Sequence, residues 1–132
     1  MRENNIENIV SFDGFQKNMS EFYQKIDIFI LPSIVKEAFG MVLCEAMYFG
    51  KPVISTDSGA QKEIIMDRAS GLIIKANSKS EIKKAIEFFL ENPQAMKDFG
   101  RRGREIVELN FTMKRWGKIM KSIYCDFLKK KR

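Results

Sequence analysis

Glu37 and Glu45 flank the stretch KEAFGMVLCEAM at 36–47, and they stand where a strand-like run gives way to an amphipathic helix. Residues Asp27 to Leu31, followed by Pro32 and Ser33, are short, apolar and bounded by turn residues, as a strand buried on both faces reads. From Met41 the apolar residues Met41, Val42, Leu43, Ala46, Met47 and Phe49 recur at helical spacing, and Gly50 with Pro52 supplies a stop. Glu37 therefore belongs to a loop and Glu45 to a helix. The amides of Phe39, Gly40, Met41 and Val42 point out of the helix N-terminus with the positive end of its dipole, a site suited to a phosphate or a sugar oxygen. Carboxylates accept hydrogen bonds from hydroxyls, so a ligand with both phosphates and sugar rings matches the set. Spacing alone favours the plainer reading, with Glu37 a solvated first-turn carboxylate and Glu45 an exposed helix residue.

The rest of the chain supplies the elements that position these groups. Ile9 to Phe12 reads as a strand with a turn at Asp13 and Gly14, and Asn18 to Ile26 as a short helix capped by Asn18 or Ser20. Beyond the Met41 helix come a strand at Val53 to Thr56, a short helix near Gln61 to Ile65, and a strand at Leu72 to Ile74. Three helices close the chain. Ser78 with Glu81 forms a capping box for the first, Asn92 with Pro93 starts the second, and Thr112 caps the third. Near-continuously apolar strands separated by helices predict an α/β, Rossmann-like parallel sheet with helices on both faces. In such a sheet ligands collect at the carboxyl ends of the strands, where the loop carrying Glu37 leaves.

The run DIFILPSIVKEAFGMVLCEAMYFGKPVISTDSGAQKEII at 27–65 resembles the C-terminal, donor-binding domain of GT-B retaining glycosyltransferases of the branch that carries a Glu-x7-Glu signature (glycosyl transferases group 1). IVSFDGF at 9–15 resembles the preceding strand and turn of that family, SGLIIKANSKSEIKKAIEFFLENP at 70–93 its last strand and following helix, and FTMKRW at 111–116 the start of its final helix. The resemblance implies sugar transfer from a nucleoside-diphosphate sugar with retention and without a metal. It also implies a role in surface polysaccharide, lipopolysaccharide or glycolipid synthesis. It assigns Glu37 to hydroxyls of the transferred sugar as the catalytic-site carboxylate. Phe39, Gly40, Met41 and Val42 fall to that sugar and the phosphates, and Glu45 to the ribose. Phe12, Gly14 and Phe15 would line the base pocket, and Ser58, Gly59 and Ala60 the neighbouring loop, where Ala60 departs from the usual second glycine.

The same resemblance implies an incomplete domain. The four predicted strands correspond to the third through sixth of six in the order 3-2-1-4-5-6, so residues 1–132 read as a partial donor domain lacking the N-terminal acceptor domain, a truncated reading frame or half of a split enzyme. The Arg and Lys that grip the donor diphosphate in the family have no counterpart here, because Arg2 lacks the context. Such a piece needs a partner chain or the N-terminal half; a non-catalytic association module is the alternative.

Composition sets limits. At 132 residues, 45% hydrophobic and 30% charged, the chain is one domain that buries roughly two-thirds of its unfolded surface. No apolar run approaches the ~18 residues of a membrane span, and MRENNIEN is no signal peptide, so a cytoplasmic protein is expected. Cys44 and Cys125 read as reduced core thiols, and with no histidine in the chain no metal or cofactor is expected. The net charge of +6 comes without a nucleic-acid-binding motif. Lys114, Arg115, Lys118, Lys121 and residues 129–132 concentrate on the final helix. Its other side, with Trp116, Ile119, Met120, Ile123, Tyr124, Phe127 and Leu128, is expected to pack on the domain; the alternative is a basic surface held at anionic lipid.

Overall fold

The computed structural model describes residues 6–130. Its elements run α1 (Met19–Lys25), β1 (Phe29–Leu31), α2 (Met41–Tyr48), β2 (Val53–Thr56), α3 (Gln61–Ile64), β3 (Gly71–Ile74), α4 (Lys79–Glu91), α5 (Pro93–Asn110) and α6 (Met113–Lys130). The strands form one parallel sheet in the order β1-β2-β3, with Phe29 opposite Val53 and Val53 opposite Gly71. Every residue of β2 is buried, as expected of a central parallel strand with helices on both sides.

The alternation of side chains along β2 divides the core. Val53 faces Tyr23 of α1, Leu43, Ala46 and Met47 of α2, and Val107 of α5. Ile54 faces the opposite layer with Leu72, Ile74, Ala85 and Phe89, against which Phe88, Met96 and Phe99 also pack. The helix starts follow the sequence signals closely. Asn18 accepts from the Glu21 amide at 3.3 Å, Ser78 from Glu81 at 3.3 Å and Thr112 from Arg115 at 3.3 Å. Asn92 departs from expectation, because its side chain donates to the Phe88 carbonyl at 2.8 Å. It thereby serves the end of α4, and Pro93 alone marks the start of α5.

Three expectations are corrected. Ile9 to Phe12 is not a strand. The Ile9 and Val10 amides both turn back onto the Ile6 carbonyl at 3.1 Å, and Ile9 and Phe12 stand 81% and 82% exposed. A buried strand needs a partner edge and a covering layer, and this segment has neither among the described residues, so the sheet has three strands rather than four. The apolar side of α6 does not pack on the domain. None of its residues is buried, and Trp116, Ile123, Tyr124 and Leu128 are 55–63% exposed. Its periodicity is helical as read, but the sheet faces are already covered by α1, α2, α4 and α5. Cys44 is only partly buried and Cys125 is exposed, because Cys125 rides on that uncovered helix.

Candidate functional site

The site grows from the loops at the carboxyl ends of β1 and β2. Residues 32–40 leave β1 and are fastened to β2 by Thr56, whose buried hydroxyl donates to the Ser33 carbonyl at 2.6 Å. Farther along, the Glu37 amide donates to Ser58 O at 3.1 Å and the Ala60 amide to Glu37 O at 3.3 Å, a short parallel bridge between Glu37 and Gly59. A Cβ on residue 59 would lie 2.1 Å from the Glu37 carbonyl oxygen, so only glycine permits the approach. Ser58 is held in turn by Gln61, whose amide nitrogen donates to its hydroxyl at 2.9 Å. Gln61 is fully buried, and its side-chain oxygen is left without a partner.

Gly40 starts α2 in a left-handed conformation, φ 85° and ψ 53°. That reversal brings the helix start back over the loop, with the Glu37 Cγ 3.6 Å from where a Cβ on Gly40 would sit. No side chain caps α2, and among the described residues the amides of Phe39, Gly40, Met41 and Val42 meet no acceptor, whereas Leu43 already donates to Gly40 O at 2.9 Å. Unpaired amides at a helix start attract an anion or a hydroxyl oxygen. Glu37, Gly59 and Ala60 line one cleft together with Lys36 and Glu63.

Glu45 opens on the neighbouring groove. That groove, about 720 Å³, runs between α2 and the start of α6 and is lined by Phe39, Met41 and Glu45 on one side and Phe111, Met113 and Trp116 on the other. The Phe39 and Phe111 rings meet edge to face, 5.7 Å between centroids. Glu45 is partly buried, and its Oε2 accepts from the Tyr23 hydroxyl at 3.1 Å. Burial first, and the Glu45 charge second, push the Tyr23 hydroxyl well above its ordinary range. The same two causes push the adjacent Cys44 thiol up to about 11, so both groups stay protonated beside the carboxylate at neutral pH.

The two carboxylates predicted from the sequence thus lie on adjoining openings around one helix start, with Ser58, Gly59 and Ala60 stitched to the first. Phe12, Gly14 and Phe15 do not join them. Phe12 and Phe15 are 82% and 88% exposed and line neither opening. Tyr23, Thr56 and Gln61 were not anticipated. A lone tyrosine on a short helix reads as core, and nothing in the spacing indicates that its hydroxyl reaches a side chain 22 positions later.

The sequence profile of the family described as glycosyl transferases group 1 matches residues 1–106. An N-acetyl-alpha-D-glucosaminyl L-malate synthase of Bacillus anthracis is 32% identical over 124 residues, 94% of this chain and 32% of that protein. The lipopolysaccharide core biosynthesis mannosyltransferase LpsB of Rhizobium meliloti is 27% identical over 117 residues, 87% of this chain and 33% of that protein. HepE of Anabaena, solved in complex with UDP, superposes with a TM-score of 0.89 at 23% identity, over 92% of this chain and 33% of that one. The chain spans about a third of the length of these relatives. With the family profile covering most of the chain and the parallel α/β architecture shared, the chain belongs to the glycosyl transferases group 1 family.

Proposed function

We propose that this chain forms the donor-binding half of a glycosyltransferase that moves a hexosyl group from a nucleoside-diphosphate sugar to an acceptor, with retention and without a metal, in the synthesis of a surface polysaccharide, lipopolysaccharide or glycolipid. In this reading Glu37 accepts from hydroxyls of the transferred sugar, the unpaired amides from Phe39 to Val42 receive sugar and phosphate oxygens, and Glu45 accepts from the ribose. Phe12, Gly14 and Phe15 approach the base when the donor is bound. Charge developing on the departing diphosphate is stabilised by the fixed dipoles at the start of α2, which need no reorganisation during reaction. The acceptor contacts come from an N-terminal domain or a partner chain. The observation that carries the reading is the bare start of α2 beside Glu37 at the carboxyl end of a parallel strand; the UDP held by HepE supports a nucleotide donor.

A panel of nucleoside diphosphates and their sugars, titrated by calorimetry or NMR, tests it. Glu45→Ala is expected to weaken every nucleoside diphosphate by about tenfold to a hundredfold, the loss of a hydrogen-bonded charged acceptor. Glu37→Gln is expected to weaken sugar nucleotides while sparing the free diphosphates. Unchanged affinity in Glu45→Ala removes that residue from the site, and equal losses in Glu37→Gln leave it a loop support only.

The uncovered side of α6 favours a second role beside the first. Trp116, Ile119, Ile123 and Tyr124 offer an apolar stripe to the remainder of a longer enzyme or to a partner chain. The lysines on the same helix face anionic lipid, where a lipid-linked acceptor would reside.

A further inference from the structure

We propose that Tyr23 is a positioning residue for nucleotide recognition: its hydroxyl locks the Glu45 carboxylate in the orientation that meets the ribose diol. The inference rests on the ribose role of Glu45 proposed above. Tyr23 is fully buried, and three aromatic rings fix it. Phe49 stacks on it at 5.4 Å and 16°, Phe22 meets it edge-on at 5.3 Å and Phe29 lies tilted at 5.9 Å. The ring therefore has one place to put its hydroxyl, against α2, between Glu45 Oε2 at 3.1 Å and the Val42 carbonyl at 3.3 Å.

A phenol has one proton to donate, and a carboxylate is the stronger acceptor of the two. The bond thus holds one oxygen of Glu45 and leaves Oε1 for a ligand in the groove. A glutamate on a helix surface otherwise samples several rotamers, and ordering it on ligand binding costs affinity. Tyr23 removes that cost before the ligand arrives. The Val42 carbonyl, 3.3 Å from the same hydroxyl, is the weaker acceptor and receives no proton while Glu45 holds the bond.

The test follows amide shifts of the isotope-labelled 132-residue chain during titration with uridine diphosphate and with its 2′,3′-dideoxy analogue. Tyr23→Phe keeps the ring packing and removes only the donor. It is expected to weaken uridine diphosphate about threefold to tenfold and leave the dideoxy analogue unchanged, so the preference for the ribonucleotide collapses. Glu45→Gln, which disturbs no core ring, is expected to lose the preference by a comparable factor. Adding Tyr23→Phe to Glu45→Ala is expected to change nothing further, because the two act as a unit. Equal weakening of both nucleotides by Tyr23→Phe, or a preference that survives it, overturns the positioning role. A preference that survives Glu45→Ala overturns the ribose reading itself. A wild-type chain whose α2 amides do not respond to uridine diphosphate overturns both.

Discussion

Replacing Gly59 by alanine tests the stitch that holds Glu37 in place. The new methyl carbon would lie 2.1 Å from the Glu37 carbonyl oxygen and 3.0 Å from its carbonyl carbon and nitrogen. All three are backbone atoms, so no side chain can swing aside. Carbon and oxygen need about 3.2 Å, so the 32–40 loop must retreat by roughly 1 Å. That movement lengthens both bonds of the bridge, Glu37 N to Ser58 O at 3.1 Å and Ala60 N to Glu37 O at 3.3 Å. Two hydrogen bonds at about 0.5–1.5 kcal/mol each place the cost at ~1–3 kcal/mol. For a domain of this size the melting temperature should fall by on the order of 5–10 °C. Circular dichroism melts give that number, and hydrogen exchange at the Glu37 amide shows whether the bridge is the part that yields. Ala60→Gly is the control, expected to melt within about 1 kcal/mol of the wild type because only backbone entropy changes. If Gly59→Ala melts with the wild type and the Glu37 amide keeps its protection, the bridge does not position the loop and the reasoning fails.

Two further predictions rest on other parts of the structure. The Cys44 thiol is pushed from an ordinary value near 9.0 to about 11 by burial and by Glu45. The folded chain therefore holds that proton more tightly than the unfolded one, and its contribution is complete below pH 9 and lost as pH rises towards 11. Partial exposure keeps the loss to about 1–2 kcal/mol. Tyr23 acts in the same direction above pH 10, and denaturant titrations of Cys44→Ala should show a shallower decline between pH 9 and 11; an identical decline removes Cys44 as its source. The edge of β1, open among the described residues, and the apolar side of α6 predict self-association or capture of the N-terminal half of a relative, read by size-exclusion chromatography with light scattering. Ile119→Glu with Ile123→Glu should lower association without lowering the melting temperature, since neither side chain is buried; a wild-type chain that is a stable monomer and ignores the N-terminal half of a relative contradicts it.

The sequence alone determined the order of the elements, the parallel sheet, and the placement of Glu37 in a loop and Glu45 on a helix. Those features are written in local chemistry: the caps at Asn18, Ser78 and Thr112, Pro93 opening α5, the short near-continuous apolar runs of the strands and the 3.6-residue periodicity of the helices. Tertiary structure decided the rest. The segment from Ile9 to Phe12 carries the composition of a strand yet is none, because a strand exists only with a neighbour to bond and a layer to cover it. The apolar stripe of α6 is legible as a helix side, but whether it is covered depends on how many helices the two sheet faces accommodate, which no window of sequence contains. The bridge from Glu37 to Gly59 and the bond from Tyr23 to Glu45 join residues 22 positions apart. Their geometry follows from strand register and from the packing of α1 against α2, and those distances are fixed only once the core has closed around Tyr23, Val53 and Met47.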